Sequence, residues 1–333
     1  MKSTSRQAGY NLTELMIAMT LGLLLIAGVI QIFISNKQAF RIQEASARNQ
    51  ESGRFSVQFL TKDIRMAGFF GCGSIVANPV NMADINGDGI ADTVADFAGN
   101  GLQGYEYTDL PIAVSDTQTL TDTEVRAGTD IIAIKRGANT GVKLKGNMGT
   151  VNANIQLEAA TAAGLFTAND ILFISDCQMA DIFAANNVSH SGTTTTISHS
   201  NAANTGNFLS KAYQEDAEIM KMINTVYYIG TNPVGEPALF RRSMGNAGVM
   251  VDEELVAGIE DMQITYGEDT DGDFAANVYV DAPAVGDMTE VVSVRIDLAV
   301  RSTEDNLTET VDHGDRRLRH TFSTTVTIRN RVI

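Results

Sequence analysis

One stretch near the N-terminus decides the fold: Gly9-Tyr10-Asn11-Leu12-Thr13-Glu14-Leu15-Met16, with the apolar run that continues from it to Ile34. No charged residue occurs between Leu15 and Ile34, where Leu, Ile, Val, Met, Ala and Phe dominate. About twenty such residues, at a helical rise of about 1.5 Å each, match the roughly 30 Å apolar core of a bilayer. Residues 10–34 are therefore predicted to form a transmembrane helix.

The residues before this helix form a short leader that carries Lys2 and Arg6. Basic residues on the N-terminal flank favour a cytoplasmic N-terminus, so the rest of the chain is predicted to be exported. An ordinary secretory signal is cleaved after its apolar segment, at small residues. No such site follows this run closely. A cut after Gly9 would instead remove a leader peptide of residues 1–9 and leave the helix on the mature chain.

Glu14 is the unusual residue, because a carboxylate that enters an apolar segment is costly and often marks a functional site or a specific partner. A position at the lipid headgroups is the alternative. The order of basic leader, glycine, aromatic residue, Leu-Thr-Glu-Leu and long apolar helix resembles the class III signal of type IV prepilins. The resemblance implies that prepilin peptidase cuts between Gly9 and Tyr10, and that Tyr10 is then methylated. It also implies that Glu14 meets the N-terminal amine of a neighbouring subunit during assembly.

The helical pattern continues through residues 35–68, the predicted amphipathic half of the same helix. Apolar residues recur there at steps of three or four among charged ones, with no proline before Ala67. The predicted apolar stripe consists of Phe40, Phe55, Phe59, Leu60, Ile64 and Ala67. One continuous helix of more than about fifty residues is expected, far longer than ordinary globular helices, with two separate helices hinged near Gly53 as the alternative. The glycines of residues 68–73 are expected to end it.

Residues 69–333 predict a globular antiparallel β domain with long loops. Short apolar runs bounded by Gly, Asn and Asp indicate strands at 131–136, 171–175, 223–229, 238–242, 255–266, 291–301 and 322–328. No repeated strand-and-helix unit occurs, which favours antiparallel pairing. The predicted fold class is α+β, with a long transmembrane and amphipathic helix packed on an antiparallel sheet in a pilin-like arrangement.

Residues 189–207 are rich in Ser, Thr, Asn and Gly and predict an exposed loop or hairpin tip. His190 and His199 lie in this segment. A zinc site would need further ligands, so both histidines are expected to be exposed to solvent.

Further segments extend the family resemblance. Residues 65–72, Arg-Met-Ala-Gly-Phe-Phe-Gly-Cys, which follow the Gln-Glu-Ser-Gly-Arg-Phe run of residues 50–55, resemble the PilW-type minor pilins. Residues 175–178 and the terminal strand at 324–330 match that group as well. The resemblance implies a minor pilin that helps to initiate type IV pilus assembly, with other minor and major pilins as partners. It also implies an inner-membrane precursor with a periplasmic globular domain, which joins the surface pilus after assembly.

The two cysteines, Cys72 and Cys177, predict a disulfide, because an even pair in an exported protein usually forms one. Closing a loop of about a hundred residues would stabilise the fold by at most about 4–5 kcal/mol. Two unlinked thiols are the alternative.

Residues 84–92 form the sharpest chemical motif, since they follow the D-x-[DN]-x-[DN]-G start of a calcium loop. The candidate ligands are oxygens at alternate positions, from Asp84, Asn86, Asp88, Ile90 and Asp92. The glutamate expected at the twelfth position is absent. The motif predicts weak Ca²⁺ binding, in the range of about 10⁻⁴–10⁻³ M seen for extracellular modules, and a solvated turn is the alternative.

A second acidic turn carries Asp269, Asp271 and Asp273. Gly272 comes early for a calcium loop, so this turn is the weaker metal candidate and a plain hairpin turn is favoured. No organic cofactor is expected.

The composition argues against two functional classes. A net charge of −16 argues against nucleic-acid binding, which usually requires a basic surface. No H-E-x-x-H, G-x-S-x-G, P-loop or C-x-x-C motif occurs, so no enzymatic activity is predicted.

Two alternative functions stay open. The first is a J-type pseudopilin of a type II secretion system, which shares the anchor and the helix-plus-sheet plan. The second is a calcium-dependent surface adhesin that uses a pilin-like anchor. A secreted hydrolase is a more distant third, which turnover by the soluble domain would support.

Overall fold

The computed structural model describes residues 11–71, 79–97, 101–138, 141–308, 311 and 314–332. The chain divides into two compact units, one of Met1–Arg48 with Ser302–Leu318 and one of Asn49–Arg301 with Arg319–Ile333. The domain boundaries expected at residues 9, 34 and 68 stay predictions.

A single helix, α1, runs from Leu12 to Arg65 and comprises 54 residues. The prediction of one continuous helix is confirmed, and the helix passes through Gly53 without a break. The large apolar residues of its first part are exposed, and Leu25 shows 72% of its surface. By length and composition, α1 is able to cross a membrane. It is a candidate membrane anchor.

In the first unit, residues 305–307 contact α1 through polar groups. Gln38 Nε2 donates to the carbonyls of Asn306 and Leu307 at 3.3 and 3.2 Å. Arg41 Nη2 donates to the carbonyl of Asp305 at 3.1 Å, and the Leu307 side chain is buried. The loop thus satisfies its own backbone groups on the helix surface.

The second unit contains two large sheets and two small ones among the described residues. The nine-stranded sheet comprises β1 (Val80–Asn81), β2 (Leu102–Tyr105), β5 (Ile131–Gly137), β6 (Val142–Lys143), β8 (Ile171–Ser175), β9 (Ala180–Ala184), β12 (Glu218–Thr231), β13 (Pro237–Met244) and β14 (Met250–Ala257). The four-stranded sheet has the order β16 (Val278–Val280), β15 (Ile259–Glu268), β17 (Val291–Arg301) and β18 (Arg319–Thr327).

The smaller sheets complete the unit. One has the order β10 (Asn187–Ser191), β11 (Thr194–Ser198) and β7 (Ile155–Glu158), and the other pairs β3 (Ile112–Ala113) with β4 (Thr119–Leu120). A short helix, α2 (Ala159–Ala162), follows β7. Between described strands, every pairing is antiparallel except that of β1 with β9, which is parallel. The α+β prediction is confirmed.

The strand predictions at 171–175 and 291–301 have the observed bounds. The prediction of one strand over 255–266 is wrong, because Gly258 adopts a left-handed φ of +85° and divides the segment. A side chain is strained in that conformation, whereas glycine adopts it freely. Gly258 donates to the Pro237 carbonyl at 2.7 Å and accepts from the Arg301 N–H at 2.8 Å. The chain therefore leaves one large sheet and enters the other at this residue.

The buried stripe of the second half of α1 differs from the predicted one. Leu60, Ile64 and Ala67 are buried as expected, but Phe40 and Phe55 are exposed. Small and polar residues occupy the buried face instead, namely Asn49, Gly53, Ser56 and Asp63. The reason is a close approach of strand β18, since a Cβ atom at residue 53 would overlap the ring of Phe322. Gly53 is therefore a packing position and not a hinge.

A buried ion pair attaches the end of α1 to the nine-stranded sheet. Asp63 Oδ1 accepts from Arg136 Nη2 at 2.8 Å, and Asp63 Oδ2 accepts from the Tyr227 hydroxyl at 2.6 Å. Both charged side chains are largely shielded from water. Just beyond the helix, Asn330 Nδ2 donates to the Ala67 carbonyl at 2.9 Å. The C-terminal segment thus satisfies a backbone carbonyl of the turn that follows the helix.

We expect Asp63→Asn to lower the free energy of unfolding by about 3–5 kcal/mol, because it leaves the buried Arg136 without its counter-charge. The measurement is urea unfolding of the full chain in detergent, followed by circular dichroism. Glu44→Gln is the matched control on the same helix, since it breaks the exposed Glu44–Arg48 pair, which has a separation of 2.6 Å. The control should change stability by less than about 1 kcal/mol. Equal losses in both variants would contradict the assignment.

Candidate functional site

Glu14 lies in the first turn of α1 and is exposed. The Asn11 carbonyl accepts from the N–H groups of Glu14 and Leu15 at 3.0 and 3.2 Å, so Asn11 caps the helix. Among the described residues, the hydrogen bond to the Glu14 carboxylate comes from the Asn11 N–H at 3.5 Å. A negative charge at this end also interacts favourably with the helix dipole. Glu14 therefore helps to start the helix, and its carboxylate stays accessible to a further partner.

The predicted processing residues, Gly9 and Tyr10, lie outside the described residues. Their roles stay predictions, as does the assembly role of Glu14.

The loop of residues 84–92 wraps its backbone around the carboxylate of Asp84. The two Asp84 oxygens accept from the N–H groups three to five residues later, at 2.8–3.1 Å. Asp88 Oδ1 accepts from the N–H of Ile90 at 2.8 Å. The loop is therefore closed by hydrogen bonds between its own carboxylates and its own backbone.

The loop of residues 269–277 repeats this pattern. Asp269 Oδ1 accepts from the N–H groups of residues 271–273 at 2.7–3.3 Å, and Oδ2 accepts from Phe274 at 2.8 Å. Asp273 Oδ1 accepts from Ala275 at 2.9 Å. In both loops the first-position carboxylate accepts from the N–H groups of the fourth to sixth positions, and the fifth-position carboxylate accepts from that of the seventh.

The glycines of the two loops also correspond. Gly87 and Gly272 both occupy the fourth position, with φ of +75° and +80°. At the sixth position, φ is +84° for Gly89 and +66° for Phe274. The early glycine therefore does not distinguish the second loop from the first, although Phe274 adopts a conformation that favours glycine.

Among the described residues, three carboxylates come within 4.8 Å of one another at Asp269, Asp271 and Asp273. From the sequence, these three residues were predicted to be the weaker candidate for a metal site. Within the described part of the chain, the loop of residues 84–92 forms no such group. A hard cation such as Ca²⁺ prefers a group of oxygen ligands of this kind.

Asp92, the ninth position of the first loop, is buried with 3% of its surface exposed. Its Oδ2 accepts from the Ile85 N–H at 2.8 Å. Burial, together with Asp116, raises its pKa to about 6. Asn277 holds the corresponding position of the second loop and accepts from the Thr270 N–H at 2.7 Å. Both ninth-position side chains thus support the loop backbone.

Cys177 is disulfide-bonded and has a left-handed φ of +69°. It follows Asp176, whose carboxylate pairs with Lys211 and accepts from the N–H groups of Gln178 and Met179 at 3.1 Å. Cys72 lies outside the described residues. The pairing of Cys72 with Cys177 therefore stays a prediction.

The two histidines of residues 189–207 differ. His190 is exposed, as expected, and its Nδ1 lies 2.8 Å from the Thr195 hydroxyl in the β10–β11 hairpin. The expectation that His199 is exposed is wrong, since it shows 2% of its surface and its Nε2 lies 3.0 Å from the Ala153 carbonyl. Burial lowers the pKa of His199, which favours the neutral ring. The ring packs on Phe183, so this histidine is part of the core.

Residues 226–330 match the family model described as Type IV Pilus-assembly protein W. This segment is about a third of the chain and extends from within β12 through β18. The match supports a type IV pilus-related protein. No curated protein and no solved structure matches the chain.

The matched segment contains Tyr227 and Asn330, two of the residues that hold the end of α1. Sequence reasoning missed this attachment, although an acidic residue between Leu60 and Ile64 on the apolar face was a usable signal. The helix itself lies outside the match. The matched segment thus supplies part of the surface that receives the helix, while Arg136 lies outside it.

Proposed function

We propose that this protein is a minor pilin that takes part in the initiation of type IV pilus assembly. The observation that carries the proposal is the combination of a pilus-assembly family match with an exposed apolar helix. The prepilin-like order of residues 1–34 also implies how the mature chain is produced, namely by cleavage after Gly9 and methylation of Tyr10. The role is structural and not catalytic, and the partners are other pilins, prepilin peptidase and the inner membrane.

In the proposed mechanism, the first part of α1 moves laterally from the membrane into a bundle of pilin helices. Glu14 then lies in an apolar environment, where an unpaired carboxylate costs several kcal/mol. The N-terminal amine of a neighbouring subunit removes that cost by pairing with it. Because the pair forms at only one axial position, it also fixes the register between the two helices.

We expect Glu14→Ala to reduce piliation more than tenfold when the variant replaces the native protein. Removing one partner of a buried charge pair costs about 3–5 kcal/mol, and each 1.4 kcal/mol is about tenfold in affinity. Surface pili are counted by electron microscopy, with Glu44→Ala as the control on an exposed part of the same helix.

The thermal midpoint of the globular part should be the same in Glu14→Ala and in the native chain, because the described contact of Glu14 is local to the helix start. Normal piliation in Glu14→Ala would count against the mechanism. Loss of piliation in Glu44→Ala as well would show that any change in the helix is harmful.

A pseudopilin of a type II secretion system is the nearest alternative within the same class. The match to a pilus-assembly family model favours the pilus. Deletion of the gene separates the two, since a minor pilin is required for piliation and a pseudopilin is required for protein secretion.

We also propose that the loops at 84–92 and 269–277 bind Ca²⁺ weakly. Their shared hydrogen-bond pattern and the three close carboxylates of the second loop support this role. An adhesin that depends on calcium would lose surface binding on chelation while piliation persists.

Calcium binding is tested by titrating the purified full chain in detergent with Ca²⁺ in a calorimeter. We expect a dissociation constant in the range of about 10⁻⁴–10⁻³ M. Asp271→Asn should remove binding at the second loop, because it takes one charge from the group of three carboxylates. Asp122→Asn is the control at an exposed position elsewhere. Identical titrations of the native chain and Asp271→Asn would contradict a site in that loop.

A further inference from the structure

Strands β2, β5 and β12 lie side by side in the nine-stranded sheet, and their register places a small residue between larger ones on one face. Gln103 of β2 and Val226 of β12 both pair with Ala133 of β5. Two residues further along β5, and therefore on the same face, Lys135 pairs with Asn224. Because Ala133 is short and its neighbours are longer, this face has a depression at its centre.

The depression is a cavity with a polar floor and an apolar wall. Lys135 and Asn224 line its floor, and Ile112 and Ala113 of β3 line the wall together with Val114. The enclosed part has a volume of about 30 Å³. It therefore admits a small head group, and the rest of a ligand would lie at the mouth of the cavity.

Asn224 carries a hydrogen-bond acceptor that the fold does not use. Only 2% of this residue is exposed. Its Nδ2 donates to the Val94 carbonyl at 2.9 Å, which fixes the orientation of the carboxamide. Its Oδ1 is buried and has no hydrogen-bond partner among the described residues. A buried acceptor without a donor is costly, so the cavity favours a ligand that donates to Asn224.

Lys135 supplies a donor beside this acceptor. Its Nζ donates to the Thr93 carbonyl at 3.2 Å and to the Asp96 carbonyl. An ammonium group has three protons, so these two bonds to described residues leave one proton for a ligand. The turn of residues 93–96 thus holds both polar side chains of the floor in place, because Val94 binds Asn224 in the same way.

The two floor residues select the chemistry of the ligand. A cation is disfavoured by the Lys135 ammonium, and an anion is disfavoured by the unpaired Asn224 oxygen. A hydroxyl group satisfies both residues, because its hydrogen donates to Asn224 Oδ1 and its oxygen accepts from Lys135 Nζ. A hydroxyl group is also close to a water molecule in size, and the enclosed volume is about the share of one water molecule in the liquid.

We propose that this cavity binds the hydroxyl group of a small alcohol or polyol, with Asn224 as the acceptor and Lys135 as the donor. The apolar wall from β3 then contacts the carbon atom that carries the hydroxyl group. The cavity lies in the nine-stranded sheet and uses neither the apolar part of α1 nor the acidic loops. The proposal therefore does not rest on the proposed pilus function.

The test is methyl NMR of the full chain, in a detergent without hydroxyl groups such as lauryldimethylamine oxide. Titration with 2-propanol should shift the methyl signals of Ala113, Ala133 and Val226 until they saturate, with a dissociation constant on the order of 10 mM. The signals of Val294 in the four-stranded sheet should stay unchanged. Acetone has almost the same shape but cannot donate, and it should bind about tenfold more weakly.

A cavity-filling variant and a polar variant test the site from the protein side. Ala133→Leu fills the cavity at a half-buried position and should abolish the saturable shifts of Ala113 and Val226. Ala299→Leu, at a half-buried position of β17, is the matched control and should retain them. Asn224→Leu removes the acceptor and should bring the preference for 2-propanol over acetone down to about one.

Glycerol distinguishes the two sources of the hydroxyl group. Tighter binding of glycerol than of 2-propanol would assign the cavity to a polyol, and equal binding would assign it to a single hydroxyl group. The absence of saturable shifts with 2-propanol in the native chain, equal affinities for 2-propanol and acetone, or an undiminished response in Ala133→Leu would overturn the proposal.

Discussion

One continuous helix has to satisfy two environments, and the rest of the structure depends on how it does so. The first part of α1 exposes a surface of large apolar side chains that no described segment covers. The second part packs so closely on a sheet that glycine and small polar residues replace large apolar ones along the contact. A break between the parts would disconnect the apolar segment from the domain that it carries. The helix therefore contains no proline and stays regular through Gly53.

The attachment of this helix is more polar than a helix-on-sheet contact usually is. The helix contributes the Asp63 carboxylate, and the sheet returns a guanidinium and a phenol. Burying such a pair gains little net stability over apolar packing, but each group needs its partner in one geometry. The pair thus fixes the rotation and the axial position of α1 on the sheet.

The elements that were predicted well from the sequence are those whose apolar residues follow one uninterrupted pattern. An uninterrupted apolar run fixed the expectation of α1, and strict alternation located β17 with its observed bounds. The predicted apolar stripe on the second half of α1 is wrong at Phe40 and Phe55. Periodicity shows which residues share a face of the helix, but it does not show how closely another element approaches that face. The division of the predicted strand at Gly258 and the burial of His199 were not predicted, for the same physical reason. Both depend on contacts with segments distant in sequence.

In the two acidic loops, by contrast, different residue types form similar backbone conformations. Letter patterns favoured residues 84–92, because Gly89 stands where a calcium loop needs a left-handed residue. The backbone of residues 269–277 nevertheless forms the same hydrogen bonds around Asp269, with Phe274 in the left-handed conformation. A pattern based on residue types does not reveal that a non-glycine residue adopts this conformation.

The most direct measurement of the central claim is the intact mass and N-terminal peptide of the mature protein, isolated from membranes or from sheared pili. A pilin-type anchor predicts a chain that begins at Tyr10, carries one added methyl group on its amine, and retains the whole of α1. A mature chain that still contains residues 1–9, or one that has lost the apolar part of α1, would contradict the account.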